Sequence, residues 1–148
     1  MLHSLIGLYQ RDLQRLKTEI EAYQSEEAMW RIADGIANSG GNLCLHLVGN
    51  LKTFIGLHLG EFAYVRDREF EFAGKDVARA KLLEEVDETI EIVSTTLTQL
   101  EGRDLTEDYP FEHWPGKPSI ERGLIHLAMH LSYHLGQINY HRRMLDKA

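Results

Sequence analysis

Cysteine is nearly missing from this sequence: one, Cys44, occurs in 148 residues. A single thiol excludes an intrachain disulfide and a cysteine-built zinc site, both of which need more sulfur. Cys44 also lies in an apolar run and reads as a small buried side chain rather than a nucleophile. Proline is scarce too, and all three fall within residues 110–118, where they exclude helix. Clustered positive charge is absent. The net charge is −7 with histidines neutral, so a nucleic-acid backbone or an anionic membrane surface would find no Lys/Arg patch to bind. The one dense basic spot, His141-Arg142-Arg143, suits a helix C-terminus, which favours cations. No apolar run reaches membrane-spanning length, and Arg11 and Asp12 interrupt the first segment before a signal sequence could form. Repeats and low-complexity tracts are lacking. The expectation is one domain over 1–148, in the cytoplasm.

Four stretches carry helical periodicity. In residues 2 to about 24, Leu2, Leu5, Ile6, Tyr9, Leu13, Leu16, Ile20 and Tyr23 recur at spacings of three and four, opposite a charged face. Residues 41–59 form a second helix, with Asn38 or Ser39 as N-cap. It is apolar nearly all round, and Lys52 is the only charged side chain between Ile36 and Gly60, histidine aside. Such a helix is buried on several sides. Gly49 and Gly56 would let neighbours approach it closely. Residues 76–101 form a third helix, on which Glu84, Glu85, Glu88 and Glu91 read as a solvated face. A fourth runs from 120 to about 146, with Ser119 as N-cap.

The connections are long. Residues 25–40 contain a short helical turn around Met29 and Trp30. Trp30 closes one end of the core or walls a pocket. Residues 60–74 carry Arg66-Asp67-Arg68-Glu69, which reads as a solvated loop or as a lid with Arg66 or Asp67 facing a site. Residues 102–117 are an extended strip or small hairpin across one end of the bundle, with His113 and Trp114 available to rim a pocket.

What the chain does have is histidine at regular spacing. His126, His130 and His134 lie four apart, and residues four apart on a helix are stacked about 6 Å along the axis. An i, i+4 pair can reach one metal ion. Three in a row cannot, because each step drifts by about 40°. Against the apolar stripe Ile120, Leu124, Leu127, Leu131, Leu135 and Ile138, His134 lies inside and His130 at the margin, with His126 rotated out. Gln137 lies near the direction of His130. A third ligand must come from elsewhere, and His46, one turn from Asn50 on the buried second helix, is the candidate. His58 points about 120° away from it. Read without a metal, the same histidines are hydrogen-bonded core residues.

The segment Leu45-His46-Leu47-Val48-Gly49-Asn50, together with His126-x3-His130-x3-His134-Leu-Gly-Gln137-Ile, resembles the DinB-like superfamily, named for a damage-inducible protein. The loop Arg66-Asp67-Arg68-Glu69-Phe70 resembles one of its subgroups. The likeness spans the chain in helix order and length. It implies an all-α, up-down four-helix bundle, often a homodimer, with one divalent metal, zinc or nickel, on His46, His130 and His134. Characterised relatives include transferases of low-molecular-weight thiols such as bacillithiol and mycothiol. By that resemblance the expected function is transfer of such a thiol to an electrophilic small molecule.

Three imidazoles leave a metal with an open position, the pattern of a catalytic site. Asn50, Gln137, Arg66 or Trp30 would contact substrate or support the ligands. A metal-dependent hydrolase is the rival enzyme, with Asp67 as its one nameable base. A metal-stabilised dimer or small-ligand binder is the non-catalytic rival. Glu-x-x-His, His-Glu-x-x-His and a nucleophile elbow do not occur, which sets aside di-iron bundles, zincins and serine hydrolases.

Overall fold

The apolar positions of the first stretch become one buried seam: Leu5, Tyr9, Leu13, Leu16 and Ile20 face inward along α1 (Leu2–Ala22). The structure, a computed structural model, describes residues 1–147 and is all-helical. A 3-10 turn at Glu27–Trp30 leads to α2 (Gly40–Leu51), which continues as a wider π-helical stretch, Lys52–Leu57. Then come α3 (Arg68–Ala73), α4 (Arg79–Gln99) and α5 (Ile120–Leu145). No helix is long and apolar enough to cross a membrane among the described residues. Ser39 and Ser119 cap α2 and α5, each side chain accepting from the backbone N–H three residues on.

α1 packs on α4 and α5, and α2 packs on the other sides of the same two helices. Side-chain contacts fix their directions. Tyr9 Oη donates to the Leu124 carbonyl (2.6 Å) and Tyr23 Oη to His141 Nδ1 (2.7 Å), so α1 and α5 run parallel. The His141 tautomer follows from its other nitrogen, whose N–H can only donate to the Arg31 carbonyl (2.8 Å). α2 and α4 are parallel as well: Lys52 meets Glu85 and Glu88, and a Cβ on Gly56 or Gly60 would touch Ile92 or Thr96. α2 and α5 are antiparallel, with His46 against His130 and Gly40 against His141.

These directions correct the expected up-down alternation. The order is up, down, down, up, because residues 58–78 cross back along the bundle before α4 begins, a long-crossover variant of the four-helix architecture. The crossover carries α3 where the residue pattern predicts a solvated loop or a lid. Asp67 caps it by accepting from Phe70 N–H (3.0 Å), and Asn42 of α2 donates to the carbonyls of Glu71 (3.1 Å) and Gly74 (2.7 Å) at its far end.

The acidic face of α4 needs a second correction. Lys52 is 4% exposed, and its ammonium sits 2.5 Å from both Glu85 and Glu88. Those two acids answer the one charge on the apolar second helix, and a buried ammonium needs such partners. The 102–117 connection forms the expected strip. Asp108 bridges Ser119, Tyr109 packs its ring against Gly123, and its hydroxyl donates to the Phe54 carbonyl (2.6 Å). Cys44 is fully buried, and burial pushes its thiol up to about 12, far from nucleophilic use at neutral pH.

Candidate metal centre

His46 projects from the middle of α2 toward α5, where His130 and His134 sit one turn apart. One nitrogen from each ring falls within 4.8 Å of the others, so the three could hold a metal ion. His46 Nε2 and His130 Nε2 are 3.1 Å apart, and the ring centroids of His46 and His134 are 5.1 Å apart. The sharing of one point by α2 and α5 depends on their antiparallel packing.

The rings are held from behind. His46 Nδ1 lies 3.0 Å from Glu71 Oε1, and His134 Nδ1 lies 2.6 Å from Gln137 Oε1. Both partners are acceptors, so each Nδ1 carries the proton and each Nε2 keeps its lone pair for the shared point. A carboxylate or carbonyl behind a ligating imidazole sets its tautomer and direction in this way. His130 Nδ1 is buried and has no hydrogen-bond partner.

Charge state fits the same reading. Burial drives the His130 pKa down to about 4, helped by repulsion from His134, His46, His126 and Arg66. Burial also lowers His134, against the hydrogen bond to Gln137. Neutral imidazoles are the form that ligates a metal. Burial by itself would raise the Glu71 carboxyl, but hydrogen bonds from His46 and Arg66 outweigh it and hold it below its ordinary value. Glu71 therefore stays ionised behind His46. Three imidazole nitrogens with a buried carboxylate behind one of them suit a divalent transition metal.

Glu71 is the residue that the sequence reading missed. It is 4% exposed and accepts from Arg66 through both oxygens, 2.8 Å each. Its signal in the sequence is indirect. Gly49 lies on the side of α2 that carries His46, and a Cβ there would come within 2.1 Å of Glu71 Oε2. The glycine admits the acid. Phe72, on the same short helix, lays its ring 4.8 Å from that of His46.

A cavity of about 260 Å³ opens beside the histidines. Asn50, Arg66, Arg68, Phe54, Phe111 and Trp114 line it together with His46 and His130. Asn50 is 8% exposed, and its Oδ1 has no partner. His126 stands at the rim, 5.7 Å from the Trp114 ring. His58 stacks on Phe111 outside this group (4.7 Å), and His113 also packs on Phe111. Trp30, expected as a site residue, is not brought here. Its ring packs over Gly41, whose missing Cβ makes room for it. Asp67 is occupied as the α3 cap. A more apolar cleft of about 340 Å³ lies between residues 33–38 and the end of α5, but the nitrogen cluster lies at the smaller cavity.

Three outcomes follow. Protein purified without a His tag should carry about one metal per chain, and His46→Ala, His130→Ala and His134→Ala should each lose it. Glu71→Gln should keep the fold and weaken the metal by roughly 10–100-fold, the usual cost of removing a residue behind a ligand, read by chelator competition. Acid should destabilise the metal-free protein. An unfolded histidine takes its proton near 6.5 but folded His130 only near 4, so the unfolded state binds more protons in that window. Stability should then fall as pH drops from 6.5 towards 4. Urea midpoints at stepped pH read the slope, and His130→Gln should flatten part of it.

The family model described as "Protein of unknown function (DUF1572)" matches residues 3–148. No curated protein and no solved structure matches the chain. On a match over nearly its whole length, the chain belongs to the DUF1572 family, which is DinB-like.

Proposed function

We propose that this protein is a metal-dependent enzyme that transfers a low-molecular-weight thiol to an electrophilic carbon. The observation that carries the reading is the convergence of the His46, His130 and His134 nitrogens beside an accessible cavity. Bound there, a divalent ion, zinc or nickel, supplies an open position that acidifies a thiol or a water. The other parts belong to the chain. Glu71 and Gln137 hold two of the rings with Nε2 turned inward. His130 remains unprotonated at neutral pH. Phe111, edge to face on Phe54, and Trp114, tilted against the same ring, give one wall of the cavity an apolar surface. In the net reaction a C–S bond forms, the bond from that carbon to its leaving group breaks, and the thiol proton is released with the leaving group.

Hydrolysis would need a base beside the metal. Asp67 is turned to capping α3, and Glu71 is committed to His46 and Arg66, which favours the thiol reading. To test it, metal-loaded protein is given bacillithiol, mycothiol or glutathione with an alkylating electrophile, and the thioether is followed by mass spectrometry. Wild type should exceed background, and His134→Ala should lose at least ~100-fold of that rate with its unfolding temperature unchanged. Unfolding of His134→Ala without metal turnover in wild type would leave a structural metal instead.

The homodimer rests on α5. Ile125, Met129, Tyr133, Tyr140 and Met144 are 40–67% exposed and fall along one face over about 28 Å. An exposed apolar stripe of that length suits association with a second copy. Light scattering should return twice the 17.0 kDa chain mass, falling to one chain in Met129→Lys/Tyr140→Lys.

A further inference from the structure

The chain is strongly acidic, with 23 Asp and Glu against 16 Lys and Arg, yet no acidic residue lines the cavity beside the three histidines among the described residues. Two arginines do. Arg66 is neutralised, since its guanidinium is paired with Glu71 through two hydrogen bonds. Arg68 pairs with no carboxylate among the described residues. Its guanidinium lies over the Phe72 ring, 5.8 Å from the centroid, and Phe72 in turn lies 4.8 Å from the His46 ring. The stack places an unpaired cation on the cavity that His46 and His130 also line. Counting Glu71, Arg66 and Arg68 with a divalent ion, the local charge is strongly positive on a negative protein.

A second observation points to a ligand. Asn50, more than nine-tenths buried and lining the same cavity, leaves its side-chain oxygen without a partner. Buried amides are otherwise satisfied, so this one is set to receive an N–H or O–H from a bound molecule. Another part of the lining is aromatic, with Phe111 and Trp114 packed on Phe54 at 5.4 and 5.0 Å.

We propose that the cavity takes a small molecule bearing an oxyanion, carboxylate or phosphate, and that Arg68 binds that group while Asn50 accepts a hydrogen bond from the same molecule. The position of the ligand rests on the three-histidine metal reading; the role of Arg68 is testable apart from it. The guanidinium fork matches either oxyanion through two N–H donors, and an ammonium or a neutral amide does not reproduce that match. Arg68 is a binding residue for substrate, distinct from Arg66, which acts through Glu71 on His46.

Calorimetric titration of the zinc-loaded protein with benzoate, with its neutral counterpart benzamide, and with inorganic phosphate tests this. At least one of the two anions should bind, benzamide at least ~10-fold more weakly, and Arg68→Gln should weaken the anion at least ~10-fold with zinc still at one per chain. Arg68→Lys should recover part of the loss, and Asn50→Leu should weaken a carboxylic ligand that carries a hydroxyl, such as salicylate, more than benzoate. Which anion binds tighter separates a carboxylate from a phosphate substrate. Equal anion binding by wild type and Arg68→Gln, or no anion binding by zinc-loaded wild type, overturns the proposal. So does loss of binding in His134→Ala alone, which would put the anion on the metal. If wild type takes up no zinc, the metal reading falls by itself. The same titrations on metal-free protein then decide Arg68, with dependence on it sustaining the anion site and independence overturning it.

Discussion

Glu71 is buried against Gly49 with one oxygen on His46 and both on Arg66. Removing a carboxylate from water costs on the order of several kcal/mol unless charge and hydrogen bonds replace the solvent. The Arg66 fork and the His46 N–H do so here. The contact ties three levels together. It needs a glycine in α2 for the close approach, a crossover that runs back along α2, and a His46 ring turned so that Nδ1 donates to the acid. Without it the ring of His46 would have no fixed direction, and the short α3 would have little beyond Asn42 to hold it.

Several buried polar groups of the bundle around this contact find partners within the protein. Lys52 is met by two glutamates of α4, and His141 is held between Tyr23 and the Arg31 carbonyl. The cluster beside the cavity differs. His130 Nδ1 and Asn50 Oδ1 are buried with no partner within the protein. Unsatisfied polar atoms are rare in folded interiors and tend to mark functional sites. Trp30 Nε1, Thr53 Oγ1, Arg79 Nε and Thr96 Oγ1 are also buried without partners, but of these residues only His130 and Asn50 line the cavity beside the converging nitrogens.

The same arrangement explains a division of labour between two arginines two residues apart. Arg66 faces inward and is consumed by Glu71, so it contributes rigidity to His46. Arg68 is exposed, lies over the Phe72 ring and keeps its charge available. Arg66 lies in the connection just before α3 and Arg68 is its first residue, on either side of the Asp67 cap, and the Arg66–Glu71 pair ties that connection to the helix behind His46.

Much of this was legible in the order of residues. The spacing of apolar side chains marked the four long helices, Ser39 and Ser119 marked two starts, and the phase of the α5 stripe separated His130 and His134 from His126. These are local properties, set by 3.6 residues per turn, and a sequence displays them directly. The directions of the helices, the short α3 and the place of Glu71 were not legible. An acid flanked by Phe70 and Phe72 in a charged connection has no local mark of burial, and Trp30 has no local mark of which end of the core it fills. Those facts depend on where a crossover runs relative to distant helices. Only tertiary packing, which decided that α2 and α4 lie parallel and that Gly49 faces the returning chain, could place the carboxylate behind His46 and the free guanidinium beside the cavity.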